Sequence, residues 1–134
     1  MSRRDAGSPA LDITDENLVV APAAEVRAVL CDESWWESRI PGVGLRCIDD
    51  RGRLGKRWAV HGDLVGSAEV WLEPWADSVV VHAFWQVDRA DGKPLTERER
   101  SRYAIAVKRH VMTVKDTLEA GRHPGTPRST VATE

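Results

Sequence analysis

An apolar stripe at helical spacing runs through the last third of the chain, and it limits the fold more than any other feature. Its members recur at intervals of three and four residues, which places them on one face of an α-helix. A helix with such a face must bury it against another part of the protein. The stripe consists of Ala104, Val107, Val111, Val114 and Leu118.

Signals at both ends define the length of this helix. Thr96 and Glu99 have the spacing of a capping box, in which the threonine hydroxyl and the glutamate carboxylate each accept a hydrogen bond from a backbone N–H at the helix start. Gly121 is placed for a C-terminal cap. The sequence therefore predicts a long helix from residue 97 to about residue 120.

Upstream of that helix the apolar period is two, which is typical of β-strands. The segments 45–48, 56–61, 67–75 and 79–87 are predicted strands, and the short turns between them imply an antiparallel meander. A further strand at 11–20 precedes a helix that opens at Pro22, and a short helix follows over 35–40. Residues 1–10 and 122–134 carry no periodic pattern and are predicted to be disordered.

This order of elements predicts an α+β domain over residues 11–121. Its curved antiparallel sheet of about five strands would grip the long C-terminal helix, with two short helices after the first strand. A length of 134 residues fits one domain.

Charge and composition exclude several classes of partner. The formal net charge of −2 gives no field that would attract nucleic acid or an anionic membrane. The longest apolar stretch, residues 18–24, is too short to span a bilayer, and the first residues do not resemble a signal peptide. We therefore expect a cytoplasmic protein.

Residue types that bind cofactors or metals are present but not at ligand spacing. Cys31 and Cys47 form no CxxC motif and are expected to be two ordinary buried thiols. The histidines lack carboxylate or thiol partners at zinc-ligand spacing, and His110 lies beside Lys108 and Arg109, as a solvated or satisfied histidine would. No nucleophile elbow or dinucleotide fingerprint occurs, so we expect no cofactor and no metal.

Three segments together resemble the SRPBCC superfamily of START-like, helix-grip proteins, which includes polyketide cyclase/dehydrase and lipid-transport proteins. The segments cover the first strand with its two helices, the paired strands, and the closing helix, and the resemblance extends over residues 11–121. The family usually has six strands between the short helix and the closing helix, whereas about four are found here. The segments are LVVAPAAEVRAVLCDESWWESRIPGVGL, GSAEVWLEPWADSVVVHAFWQV and ERSRYAIAVKRHVMTVKDTLEAG.

The resemblance implies a ligand site between the long helix and the concave face of the sheet. The same side chains would also serve as a packed core, and the smaller number of strands favours a filled core over an open cavity. The implied ligand-binding residues are Trp35, Trp36, Trp58, Val70, Leu72, Val81, Trp85, Tyr103, Val107 and Val111.

Acid–base catalysis of the cyclase type would require a titratable group inside that apolar site. Tyr103 is the only tyrosine and the first candidate, with Glu37 and Arg39 as weaker ones near the mouth. Each of these residue types is more often structural than catalytic.

The outer face of the sheet carries aromatic side chains. Trp71, His82 and Phe84 fall on the face opposite the predicted core, and aromatic patches of this kind are enriched at protein interfaces. This pattern favours a homodimer, although a loop or tail covering the patch would also explain it.

Three functions follow as hypotheses. The first is binding of a small hydrophobic metabolite, lipid or polyketide-like, in the helix-grip cleft. The second is a polyketide cyclase or dehydratase-like enzyme that uses acid–base chemistry. The third is a protein-interaction module that uses the outer sheet face.

Overall fold

The computed structural model describes residues 9–120, in which five strands and three α-helices enclose one core. All five strands form one antiparallel sheet in the order β1-β5-β4-β3-β2. A short 3-10 turn, Gly52–Leu54, joins β2 to β3. Along the chain the elements are β1 (Leu11–Val19), α1 (Ala23–Leu30), α2 (Glu33–Arg39), β2 (Val43–Asp50), β3 (Gly55–Gly62), β4 (Leu64–Trp75), β5 (Ser78–Arg89) and α3 (Glu97–Glu119).

The predicted α+β architecture is confirmed. Four strands lie between α2 and α3, as the sequence predicted, and the long last helix covers the sheet together with α1 and α2. The two ends predicted to be disordered lie outside the described residues, apart from Pro9 and Ala10. The backbone N–H of Ala10 donates to an Asp88 carboxylate oxygen at 2.8 Å.

The two short helices begin at different residues from those predicted. Pro22 precedes α1 as its cap, with φ −62° and ψ 144°, instead of occupying the first helical position. The second helix begins at Glu33 because an Asp32 carboxylate oxygen accepts a hydrogen bond from the backbone N–H of Ser34 at 3.0 Å. Asp32, which directly follows the end of the first helix, therefore caps the second.

Alternation along the two longest strands separates the faces of the sheet as predicted. On β4, Ala68, Val70 and Leu72 point to the core and are almost fully buried, whereas Trp71 on the opposite face is 37% exposed. A single-residue slip of register would exchange these faces, so the pattern fixes the pairing of β4 with β5.

The predicted capping box of α3 is confirmed. The backbone N–H of Glu99 donates to the Thr96 hydroxyl at 3.1 Å, and the backbone N–H of Thr96 donates to the Glu99 carboxylate at 2.9 Å. Within the apolar stripe, Val107, Val111 and Val114 are buried. The outer members of the stripe, Ala104 and Leu118, are half-buried against the core.

One expectation about the cysteines is wrong. Cys31 is buried at the end of α1, but Cys47 is exposed on β2. The sheet ends at β2, where a register irregularity between Cys47 and Asp49 disrupts the inward alternation, so the outer half of this edge strand faces solvent. The two thiols are free, as the sequence predicted.

Candidate ligand-binding site

A cavity of about 140 Å³ lies where the three helices meet. The wall is almost entirely apolar, although a histidine, two threonines and an arginine are among the residues that form it. α1 contributes one lining residue, α2 two and α3 five. The lining residues are Val29, Trp35, Arg39, His110, Thr113, Val114, Thr117 and Leu118.

Two hydrogen bonds, one donated by a buried tryptophan and one accepted by a glutamate, fix α2 at the edge of this cavity. The indole Nε1–H of Trp36 donates to the backbone carbonyl of Leu30 at 2.7 Å, which ties α2 to the end of α1. The Glu37 carboxylate accepts from the backbone N–H of Leu45 at 2.9 Å, which ties α2 to β2. Glu37, a weaker candidate for acid–base catalysis, therefore holds the helix in place.

A second pair of contacts fixes the first turn of α2. The Glu33 carboxylate accepts a hydrogen bond from Trp58 Nε1 at 2.8 Å and forms an ion pair with Lys56 Nζ at 2.7 Å. Both partners lie on β3, so the start of α2 is attached to the sheet. The cavity is consequently bounded by a helix with little freedom to shift.

The neighbouring residues Trp35 and Trp36 point in different directions because successive helical residues are about 100° apart. Trp36 faces the sheet and is fully buried. Trp35 lies at the side of the helix, lines the cavity and is 47% exposed. Both residues are predicted from the sequence to bind a ligand, and of the two only Trp35 lines the cavity.

His110 is the most unusual group in the cavity wall. Its side chain is 1% exposed, and neither ring nitrogen has a hydrogen-bond partner among the described residues. Burial, and secondarily the positive charge of Arg39, lowers the pKa of His110 to about 4. The imidazole is therefore neutral at pH 7, with one donor and one acceptor unused.

The space between α3 and the sheet is occupied by aromatic side chains. The ring centroid of Trp36 lies 5.6 Å from that of Trp85 and 4.4 Å from that of His110. The Trp85 indole Nε1 is buried and also lacks a partner among the described residues. This cluster lies in the region where the resemblance implied a ligand site, whereas the cavity is lined by residues of the three helices.

The other residues predicted to bind a ligand lie outside the cavity wall. Tyr103 is half-buried near the start of α3, where the Arg102 guanidinium lies 5.4 Å from the centre of its ring. The remaining eight belong to the core and are each at most 2% exposed. These are Trp36, Trp58, Val70, Leu72, Val81, Trp85, Val107 and Val111.

Sequence reasoning missed most of the cavity wall, although part of the signal was present. Thr113, Val114, Thr117 and Leu118 lie three, four, seven and eight positions after His110, which is the spacing of one helix face. The sequence predicts a solvated or satisfied His110, as a lone histidine usually is, but its side chain is buried, like those of Val107 and Val111.

The outer face of the sheet carries a stack of rings. Trp71 and His82 are directly opposite each other on β4 and β5, with centroids 4.2 Å apart and planes inclined by 19°. Phe84 lies parallel to His82 at 6.2 Å. Glu16 and Glu73 contact the two nitrogens of His82 at 3.1 and 3.0 Å, so His82 is only 8% exposed.

The part of the chain that the structure describes has neither a metal-binding cluster nor a membrane-spanning helix. Within residues 9–120, no three His, Cys, Asp or Glu side chains lie close enough together to hold a metal ion. None of the described helices has the length and apolar character needed to cross a membrane.

Comparison with known proteins identifies the fold. No protein-family model matches the chain, and no curated protein matches it. Among solved structures, it is similar to the Aha1 dimer from Colwellia psychrerythraea, with a TM-score of 0.64 and 11% identity over 84% of this chain and 99% of that one. It is also similar to a Deinococcus radiodurans protein, DR_A0006, with a TM-score of 0.58 and 13% identity over 82% and 98%.

A third similar structure is the Polyketide_cyc-like protein Cgl2372 from Corynebacterium glutamicum, with a TM-score of 0.56 and 16% identity over 86% of this chain and 96% of that one. These similarities show that the chain has the START-like helix-grip fold predicted from its sequence. Because the identities are low and the fold hosts both binders and enzymes, function has to be argued from the site.

Proposed function

We propose that this protein binds a small, mostly apolar molecule in the cavity between α1, α2 and α3. The observation that carries the proposal is an apolar cavity whose wall contains the buried, unpartnered imidazole of His110. Apolar walls with a few fixed polar groups are characteristic of small-molecule sites. The binding would take place in the cytoplasm, where the sequence predicts the protein to be.

The size of the cavity limits the ligand to about one ring. A protein cavity of about 150 Å³ accommodates benzene, whereas sites for drug-sized ligands measure about 300–1,000 Å³. At about 140 Å³, this cavity fits a single aromatic ring or a short acyl chain. A whole polyketide or long-chain lipid would leave most of its surface outside.

The same size argument favours a binder over a cyclase-type enzyme. A cyclase has to enclose a multi-ring substrate around its acid–base group, and Tyr103, the first candidate for that group, does not line the cavity. Fold similarity to a polyketide cyclase-like protein supports the enzyme hypothesis only at the level of the scaffold.

Titration with toluene, followed by amide and indole NMR signals, tests the proposal. We expect saturable shifts of the Trp35 indole signal and of amides in the second half of α3. In Thr113→Phe the added ring occupies the cavity from the half-buried side of the helix, and the shifts should disappear. Ile105→Phe is the matched control, because Ile105 is 53% exposed on the outer side of α3.

Two outcomes would contradict the proposed site. Absence of saturable shifts in the native protein would remove the cavity as a binding site. Equal binding by Thr113→Phe and the native protein would place the probe elsewhere.

A second candidate function is self-association through the outer sheet face. Trp71 is 37% exposed at the edge of the ring stack, and Trp75 on the same face of β4 is 65% exposed. The similar Aha1 structure from Colwellia psychrerythraea is a dimer, which supports the homodimer predicted from the sequence. The protein's mass should double between micromolar and millimolar concentration by light scattering, and Trp71→Glu should prevent the increase. A monomer at every concentration would exclude this candidate.

A further inference from the structure

The register of the sheet aligns five outward-facing residues in one row that runs from edge to edge. Each residue in this row is the direct cross-strand partner of the next, from β1 at one end to β2 at the other. Their chain neighbours Ala68 and Trp85 are buried on the inner face, and side chains alternate along a strand, so the row lies on the outer face. The row consists of Asp12, Gln86, Ser67, Ala59 and Arg46.

The two ends of this row carry opposite charges. Asp12 is exposed on one edge strand and Arg46 on the other, and neither side chain has an ion pair or hydrogen bond with residues 9–120. Four strand spacings lie between them, or about 19 Å, so the two charges do not pair within one chain. The carboxylate and the guanidinium are therefore both available to a partner.

Other charges on the outer face repeat this division. On the β1 side, Glu16 adds a second carboxylate. On the β2 side, Arg57 is exposed on β3 and has no ion pair within the described chain. Glu69 and Asp49 both form ion pairs with Arg51, at 2.7 and 2.9 Å. The face is consequently acidic toward β1 and carries unpaired basic groups toward β2.

This charge pattern selects one way in which two copies of the face can pack together. A symmetric dimer brings the same surface against itself across a two-fold axis, and sheets packed face to face keep their strands roughly aligned. An axis parallel to β4, the central strand, places β1 of each copy over β2 of the other and leaves residues at the same level along the strands. Asp12 then faces the partner's Arg46. An axis across the strands would place β1 over β1 and oppose carboxylate to carboxylate.

The side chains of the row and of β4 suit this arrangement. Ser67 and Ala59, near the middle of the row, are small and allow the two sheets to approach. Facing sheets pack about 10 Å apart, a separation that the side chains of Asp12 and Arg46 span together. Trp71 lies on β4 and is 37% exposed, so the same axis brings it against the partner's Trp71.

We propose that two copies of the chain associate through their outer sheet faces about a two-fold axis parallel to β4, with Asp12 of each copy paired to Arg46 of the other. This inference rests on the self-association proposed above and specifies how the two copies are arranged. The symmetry makes each ion pair occur twice.

Charge reversal tests the pairing, with dimer dissociation constants measured by analytical ultracentrifugation. Asp12→Lys and Arg46→Glu should each weaken the dimer about tenfold, because each substitution sets two pairs of like charges against each other. The double reversal restores opposite charges and should restore the native dissociation constant. Both positions are exposed, so neither substitution disturbs the core.

Two matched controls carry the same changes of charge on the opposite side of the sheet. Asp116→Lys and Arg109→Glu alter exposed residues of α3, and they should leave association unchanged. A loss of association in these controls equal to that in Asp12→Lys and Arg46→Glu would show an effect of net charge and overturn the pairing.

The remaining outcomes distinguish failure of this arrangement from failure of self-association itself. If the native protein dimerises and Trp71→Glu prevents it, but Asp12→Lys associates as tightly as the native protein or more tightly, the arrangement is overturned and self-association through this face stands. A double reversal as weak as the single ones also overturns the pairing. A protein that is monomeric at every concentration excludes both.

Discussion

The imidazole of His110 meets the indole of Trp36 edge-on, with ring centroids 4.4 Å apart and planes inclined by 70°. Aromatic pairs prefer this geometry, and it holds His110 against the core without using either ring nitrogen. The protein therefore keeps a polar side chain inside at a cost in stability. Two predictions concern that cost.

Replacing His110 by phenylalanine should raise the free energy of unfolding by about 1–3 kcal/mol. The substitution keeps an aromatic ring beside Trp36 and removes two buried polar atoms that have no partner. Urea denaturation at pH 7 measures the difference. His61→Phe, at an exposed position, is the control and should change stability by about 0.5 kcal/mol or less. A loss of stability in His110→Phe would show that the histidine is satisfied in the folded protein.

The stability of the protein should fall on acidification because of the same histidine. Burial, followed by the charge of Arg39, lowers the pKa of His110 to about 4 from an ordinary value of 6.5. The unfolded chain therefore binds this proton more readily than the folded protein. Protonation of this residue has no effect on the free energy of unfolding above pH 6.5. As the pH falls from there through about 4, its contribution lowers that free energy by about 3 kcal/mol in total.

Urea denaturation of the native protein and His110→Phe across this pH range measures that contribution. Carboxylates titrate equally in both proteins, so the difference between the two curves isolates His110. If the curves stay parallel, His110 has the same pKa in both states.

The adjacent tryptophans of α2 should differ strongly in their contribution to stability. Trp36→Ala removes a fully buried indole and its hydrogen bond to Leu30, and should cost about 3–5 kcal/mol. Trp35→Ala removes a side chain that is 47% exposed and should cost about 1 kcal/mol. Thermal unfolding followed by circular dichroism measures both. Equal losses would contradict the orientation of α2.

The two cysteines should differ in reactivity. Burial raises the pKa of the Cys31 thiol to about 11, so almost none of it is thiolate at pH 8. Cys47 is exposed on β2. Ellman's reagent should modify one thiol per chain rapidly in the folded protein and two after unfolding. Rapid modification in a Cys47→Ser variant would show that Cys31 is accessible.

The sequence predicted the fold because local patterns and the global architecture agree. The stripe ending at Leu118, the capping box at Thr96 and the alternation along β4 each reflect burial of one face of an element, and burial is visible in residue spacing. The first residue of α2 was harder to predict from the sequence. Asp32 caps this helix, but it also directly follows the end of α1 at Cys31.

Most of the candidate site was harder to predict. A cavity forms where side chains leave space unfilled. The position of this one depends on how three helices diverge. The spacing of residues in the sequence does not show how the helices diverge. The resemblance placed the ligand among the sheet-facing residues, where the structure has the indoles of Trp36 and Trp85 in contact with each other. Arg39 was named near the mouth as a catalytic candidate, and it lines the cavity.

The position of β1 in the sheet has a consequence for how the chain is made. Within residues 9–120 its only strand partner is β5, so Leu11 pairs with Val87 and Val19 with Val79. During translation, this first strand leaves the ribosome long before its partner does, and the intervening loop must close before the pairing is stable. The apolar side chains of β1 are unprotected throughout that interval. Among the strands of this sheet, β1 is therefore the one most exposed to mispairing, or to capture by a chaperone, before folding is complete.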